Sequence, residues 1–191
     1  MIDLLYIAIR EKLVSDISAL KEVMYYLGQP EADAEGVPLF AAPAVFIRFG
    51  SIQFLSNMGP QFLANLQQAN VLFTITLVDD TVYDDDKRIL DATLNHLGKI
   101  NAIFAALQRY APLLSDLPGN SALAGTSQNW AVSGSFERIS MQTDHSVRGT
   151  IATSQTFKCV ANDLSQIPNY QASLQNIVSS INLQSSIVTN I

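Results

Sequence analysis

The chain has 191 residues, of which 48% are hydrophobic and only 15% are charged, and its formal net charge is −6. Charge is low against the usual share of about 25%, which is typical of a surface that meets other protein. Clustered Lys and Arg are needed to hold nucleic-acid phosphates, so the acidic balance and the scattered 11 basic residues argue against that class of protein.

The length fits one domain that buries roughly 70% of its unfolded surface, so neither a disulfide nor a metal is required. Cys159 is the single cysteine and is expected to be a buried strand thiol. The N-terminal MIDLLYIAIREK lacks the basic start of a signal peptide, and no run of 18 apolar residues occurs. We therefore expect a cytoplasmic product without a membrane anchor.

The first part of the chain predicts a helix and a short strand. Apolar residues recur at helical spacing over residues 2–20 while the charged residues turn away, which predicts an amphipathic helix to about Leu20 with a break near Ser15. The sequence VMYYL at 23–27 is rich in strand-forming residues and stops at a Gly-Gln-Pro turn, so a strand is expected there.

A surface loop and a second strand follow. Residues 31–42 mix Gly, Pro, Ala and acidic residues, a composition typical of a loop. Pro43 opens the strand AVFIRFG, which Gly50 either ends or interrupts with a bulge. Residues 52–69 fit a short helix or a longer strand, and their many apolar side chains make them a candidate contact surface.

The clearest strand is NVLFTITLVDD at residues 70–80. Every second residue from Val71 to Leu77 is apolar, whereas the other face mixes threonines with Leu72 and Val78. This pattern predicts a sheet strand with one deeply buried side and a second side that is only partly polar.

A long amphipathic helix is predicted from Asp86 to Tyr110. Aspartates at 84–86 supply an N-cap and first-turn negative charge, and Pro112 cannot continue the helix. Its apolar residues have three-and-four spacing and are expected to lie along one side. They are Ile89, Leu90, Leu94, Leu97, Ile100, Phe104 and Leu107.

Two further strands are predicted to form a hairpin. Residues 130–143 have strand chemistry, but their apolar residues change parity, which points to a register shift at or near Gly134. Residues 147–160 alternate cleanly, and the sequence DHS at 144–146 makes the turn between the strands. The segment 111–129 is a long Pro-, Gly- and Ser-rich loop.

No residue is predicted to be catalytic, metal-binding or cofactor-binding. Asp144, His145 and Ser146 are the residue types of a hydrolase triad, but adjacent residues of one turn cannot stack as nucleophile, base and orienting acid. His96 is expected on the helix surface, and two histidines with one cysteine make a transition-metal site improbable. The aspartates at 79, 80 and 84–86 are expected to be capping or solvated residues, with a hard-cation site as the alternative.

Five segments together resemble the tail terminator and minor tail proteins of long-tailed phages and prophages. Their order is helix, strand, turn, Pro-led strand, long strand ending in aspartates, long helix and hairpin. The segments are LGQPE at 27–31, APAVFIRFG at 42–50, FTITLVDD at 73–80, the helix 86–110, and TDHS at 143–146 with the strand after it. The resemblance covers residues 1–165; the 111–129 loop and the uncharged C-terminal extension, 166–191, lie outside the pattern.

The resemblance implies an α+β fold, a mainly antiparallel β-sheet of about four to five strands with two main helices on one face. It also implies a structural virion protein without enzymatic activity, whose copies form a ring, commonly of about six. Such a ring caps the tail tube and joins it to the head connector. The implied partners are itself, the tail tube protein and the head–tail connector protein, with DNA as passing cargo and no membrane. The implied place is the virion tail, assembled in the bacterial cytoplasm.

Contacts between copies are predicted at the 31–42 loop, the 111–129 loop and the edge strands, because edge strands can join subunits. A small non-catalytic binding or adaptor module is the alternative function, followed by an Asp-dependent metal hydrolase. Interface candidates are aromatic, charged or loop residues: Tyr25, Tyr26, Phe40, Phe46, Arg48, Asp79, Asp80, Leu117, Trp130, Asp144 and His145.

Overall fold

The computed structural model describes residues 2–27, 40–55, 67–80, 86–112, 135–144 and 150–163. Most of the two predicted loops, the centre of 52–69, the turn after residue 144 and the C-terminal extension lie outside these ranges. The elements are α1 (Ile2–Asp16), β1 (Glu22–Tyr25), β2 (Ala44–Phe54), β3 (Gln67–Asp80), α2 (Asp86–Leu107), β4 (Glu137–Asp144) and β5 (Thr150–Asp163).

The strands form one five-stranded sheet in the order β1-β2-β3-β5-β4. β1 is parallel to β2, and the other three pairings are antiparallel. Both helices contribute to the core on one side of this sheet. The predicted α+β fold is confirmed, including the hairpin of β4 and β5. β1 and β4 are the two edges of the described sheet.

β3 lies at the centre of the sheet and pairs with β2 and β5 along most of its length. Its predicted inner face is confirmed, since every second residue from Val71 to Leu77 is buried under the helices. Phe73 stacks on Phe157 with ring centroids 5.4 Å apart and meets Phe136 edge-on at 4.9 Å. We call this side of the sheet the helix face.

The core of the helix face combines side chains from both helices with every second residue of the central strands. Aliphatic residues at helical spacing supply the helix contribution, which is why each helix buries one stripe. The helix residues are Leu5, Ile9 and Leu13 of α1, and Ile100, Ile103 and Leu107 of α2.

The opposite side of the sheet, the open face, carries no described helix. At one end Phe46, Ala44 and Val78 make a small buried cluster, with Tyr26 and Phe40 packed around it. Toward the middle, hydroxyl groups pair across β3 and β5, as in Thr74···Thr156 (3.1 Å) and Thr76···Ser154 (2.9 Å). The mixed polar and apolar second side predicted for β3 follows from these two regions.

Two register shifts interrupt the ladders. One falls between Phe49 and Ile52, so Gly50 marks a bulge and β2 continues to Phe54. The other falls between Arg138 and Ser140, at Ile139. The expected position of the shift, near Gly134, was therefore wrong. The alternation of apolar residues along one strand shows that the register shifts, but the pairing with the partner strand decides where.

Both helices end earlier than predicted. α1 ends at Asp16, not at residue 20, and α2 ends at Leu107, not at Tyr110. After α2 the chain turns through Arg109, whose φ of 65° is left-handed, and Arg109 N–H donates to the Phe136 carbonyl at 2.9 Å. A left-handed residue thus ends the helix before Pro112 and ties its end to the start of β4.

Candidate interaction surface

α2 carries two apolar stripes, not one. Residues at 96, 100, 103 and 107 face the sheet, whereas Leu90, Leu94 and Leu97 are about half exposed, Leu94 by 57%. Because each residue turns the helix by about 100°, the second stripe lies roughly a third of a turn round from the first. The prediction of one apolar side was wrong here: part of the pattern faces outward.

The exposed stripe lies on the side of α2 that is nearer to β4. The Arg138 guanidinium of β4 stacks over the Phe104 ring at 3.8 Å, which fixes the β4 side of the helix. Lys99 reaches the other way, to Asp79 of β3. Leu90 and Leu97 share the helical angle of Phe104 and therefore lie toward β4.

β4 extends this exposed apolar region. Met141 pairs with Gln155, whose buried side chain donates to the Ile100 carbonyl at 3.0 Å, so Met141 is on the helix face and is 54% exposed. Ile139, at the register shift, is also exposed. No described strand pairs with the outer edge of β4. We call this region the α2–β4 surface: Leu90, Leu94, Leu97 and Met141.

The α2 part of the α2–β4 surface is nearly free of charge, and a charged group beside it is the Arg138 guanidinium that lies over Phe104. Between residues 92 and 108 the only Lys, Arg, Asp or Glu is Lys99, and its side chain is turned inward with 11% exposed. Depletion of charge together with exposed Leu and Met is typical of the centre of a protein–protein interface. The geometry therefore suits a partner protein rather than a small ligand.

A second group of exposed apolar side chains lies at the other edge of the sheet. Leu27 is 80% exposed, and Tyr25 is partly exposed beside Tyr6 and Phe49, with ring centroids 5.8 and 6.3 Å away. We call Tyr25 and Leu27 the β1 end. The Tyr6 hydroxyl accepts a hydrogen bond from the Tyr25 backbone, and burial raises the pKa of that hydroxyl.

A buried polar network fixes α2 on the sheet. Asp79 Oδ2 of β3 lies 2.5 Å from Lys99 Nζ and 3.5 Å from His96 Nδ1, and His96 Nε2 lies 2.9 Å from Thr153 Oγ1 of β5. Thr153 in turn contacts Thr143 of β4 at 3.2 Å. The network thus joins three strands to α2, and it sets the height and rotation of the exposed stripe relative to β4.

Two sequence predictions fail at this network. His96 is 2% exposed and not on the surface, and its Nδ1 has no hydrogen-bond partner among the described residues. Asp79 is neither a cap nor solvated, because Lys99 occupies its carboxylate. Burial would raise the pKa of Asp79, but the His96 and Lys99 side chains beside it outweigh burial and hold that pKa below its usual range.

The lowered pKa predicts an acid-sensitive contribution to stability. A carboxyl whose pKa is lower in the folded chain stabilises the fold above its unfolded value of about 3.9 and loses this effect as the pH falls through the folded value. Below about pH 4, we expect the urea concentration at the midpoint of unfolding to decrease more steeply with falling pH for the wild type than for Asp79→Asn. Parallel curves for the two proteins between pH 6 and pH 2 would contradict this.

The order Asp79, His96, Thr153 resembles a hydrolase triad, but Thr153 is 1% exposed, so a substrate carbonyl has no access to its hydroxyl.

Within the described ranges no three His, Cys, Asp or Glu side chains lie close enough to hold a metal. Cys159 is buried, as predicted, and burial raises its pKa to about 12, which makes it an unreactive thiol.

The open face has a groove of ≈ 490 Å³ that includes Ser51, Asn70 and Leu72. One wall carries the exposed ion pair of Lys158 and Glu137, 3.0 Å apart. An exposed ion pair in a mixed lining differs from the enclosed, mainly apolar pocket of a small-molecule site.

No family model matches the chain, and no curated protein matches it. Among solved structures, a virion chain shows a weak similarity to this one. That chain belongs to the virion of a native gene transfer agent particle; the identity is 12%, the TM-score is 0.44, and the match covers 83% of this chain and 95% of that one. A similarity of this size does not by itself establish function. Within the described ranges, neither helix has the length and apolarity of a membrane span.

The predicted interface residues are spread over the molecule. Phe46 is fully buried in the open-face cluster, with Tyr26 and Phe40 half-buried beside it. The Arg48 guanidinium lies over the Tyr26 ring at 5.4 Å, and Asp80 is exposed at the end of β3. These residues share the open face rather than an edge of the sheet.

The remaining candidates divide between the helix face and undescribed segments. Tyr25 belongs to the β1 end, and Asp79 belongs to the buried network. Leu117, Trp130 and His145 lie outside the described residues, as does the side chain of Asp144. The residues of the α2–β4 surface were not predicted, although the offset of its leucines from the core stripe of α2, roughly a third of a turn, is a signal that the sequence contains.

Proposed function

We propose that the protein is a structural virion component, a tail terminator whose copies close into a ring on the end of the tail tube and present a surface to the head connector. The observation that carries this proposal is the α2–β4 surface, an exposed apolar region beside a strand that lies at the edge of the described sheet. A subunit that works through contacts with other protein needs such a surface. The sequence resemblance supplies the kind of assembly.

A ring accounts for the two edges of the described sheet, β1 and β4. Edge strands and exposed leucines invite further association, and a closed ring covers them in every copy and leaves none free for growth. A terminator also needs one end that matches the tube and an opposite end that does not start another tube layer, which requires repulsive as well as attractive contacts. The net charge of −6 suits a channel that lets DNA pass without holding it.

The test is the native mass in solution, by light scattering on a size-exclusion column over a concentration series. We expect a discrete oligomer, near six copies at high concentration, because the exposed leucines are covered only on assembly. Replacing Leu94 and Leu97 together by Glu should give a monomer, since two buried unpaired charges each cost several kcal/mol.

The control is Asn95→Glu, which places one charge of the same sign on the same helix but outside the α2–β4 surface. It should assemble like the wild type, and all variants should keep the wild-type circular dichroism spectrum. A wild-type protein that stays monomeric at every concentration would contradict self-assembly into a ring.

A further inference from the structure

We propose that the α2–β4 surface of one copy packs on the β1 end of the next copy, so that each copy uses two different surfaces. This inference rests on the proposed ring and adds which residues meet. The contact would place Leu94, Leu97 and Met141 of one copy against Tyr25 and Leu27 of its neighbour. Each copy would have one surface of each kind.

The strand residues of the two surfaces, Met141 and Tyr25, lie on the same side of the sheet. Met141 pairs with Gln155 and Tyr25 pairs with Ile47, and the side chains of Gln155 and Ile47 are both buried under the helices. Two copies placed edge to edge with their helix faces on the same side therefore bring the exposed stripe of α2 beside the β1 end. Every residue of the proposed contact would then be covered in one layer.

The strand directions also suit this order. β1 and β2 run one way, β3 runs the opposite way, β5 runs with β2, and β4 runs with β3. β4 is therefore antiparallel to β1 of a following copy that has the same orientation. An antiparallel neighbour continues the pattern of the sheet across the junction.

Side chains carry the contact more than backbone pairing does. β1 has only four residues, and the Tyr25 backbone is already hydrogen-bonded to the Tyr6 hydroxyl. A short and partly occupied edge limits indiscriminate strand pairing. Tyr, Leu and Met side chains on the helix face remain as the anchors, in keeping with the aromatic and Met enrichment of interface centres.

A twofold contact between two α2–β4 surfaces is the competing arrangement. It would close after two copies and leave the β1 end, with Leu27 at 80% exposure, uncovered. The head-to-tail contact covers both apolar groups and repeats around an axis. It is therefore the arrangement that leaves the least apolar surface in water.

Two variants, each with one surface blocked, test the contact. The first is Leu94→Glu with Leu97→Glu, and the second is Leu27→Glu, whose side chain is exposed enough to change without unfolding the chain. Each variant alone should be a monomer in sedimentation velocity runs at high concentration. A 1:1 mixture should form a species of twice the monomer mass and nothing larger, because the two intact surfaces meet once. Gln53→Glu, on the open face, should assemble as the wild type does.

Each other outcome identifies the error. If Leu27→Glu alone assembles like the wild type, the ring uses another surface and this inference is wrong while the proposed function stands. If Leu27→Glu alone stops at a dimer, the contact is twofold, and a mixture that stays monomeric also overturns the inference. A monomeric wild type would instead remove the proposed function on which the inference rests.

Discussion

Replacing Lys99 by methionine is expected to lower the free energy of unfolding by about 3–5 kcal/mol, the usual cost of removing one partner of a buried ion pair. The Lys99 and Asp79 side chains are only 11% and 12% exposed and lie 2.5 Å apart. Methionine replaces the apolar stem of lysine, without its ammonium group, and so leaves the Asp79 carboxylate buried without its cation. The neighbouring His96 lies 3.5 Å away and does not replace the direct contact.

Urea unfolding followed by circular dichroism at pH 7 checks this, at a protein concentration where all variants have the same mass. Lys158→Met is the matched control, because its ion pair with Glu137 is about half exposed and should be worth less than about 1 kcal/mol. The double variant Asp79→Asn with Lys99→Met should recover most of the loss, since it leaves no buried charge. Equal losses in the free energy of unfolding for Lys99→Met and Lys158→Met would show that burial does not strengthen the ion pair of Asp79 and Lys99.

The central strand and the fold class could be predicted because β3 encodes its own environment. The alternation of apolar residues from Val71 to Leu77 identifies one buried side, whichever elements pack on that side. Leu72 and Val78 indicated that the second side of β3 is partly apolar, and the open-face cluster around Phe46 lies on that side. The local sequence pattern is enough to predict a strand that has a neighbouring strand on each side.

The α2–β4 surface and the network at Asp79 could not be predicted in this way. Periodicity shows that α2 has apolar residues, but the position of the sheet decides which stripe is buried, and that depends on β3 and β5, far away in sequence. His96 lies between exposed leucines in the sequence and becomes buried only because Thr153 and Asp79 approach it from two strands. The sequence thus indicated a protein that meets other protein, while the location of the contact required the packed structure.

Replacing Phe73 by alanine is expected to lower the free energy of unfolding by about 3–5 kcal/mol, as for other large core aromatics. Phe73 is fully buried at the centre of β3, and its ring contacts those of Phe157, Phe136 and Phe49. Alanine leaves a cavity that the sheet cannot close, because β3 is paired on both sides, with β2 up to the bulge after Phe49 and with β5 in a continuous ladder.

The same substitution should also weaken assembly, because Phe136 links the core to the α2–β4 surface. The Phe136 backbone bonds to Arg109 and Tyr110 just after α2, and β4 begins at the next residue. Leu97→Ala is the matched control: it removes an exposed side chain from the surface and should cost less than about 1 kcal/mol in folding, yet reduce oligomer mass. Urea unfolding and light scattering on both variants separate the two effects. A stable Phe73→Ala protein with wild-type mass would mean that the aromatic cluster does not position the edge of the sheet.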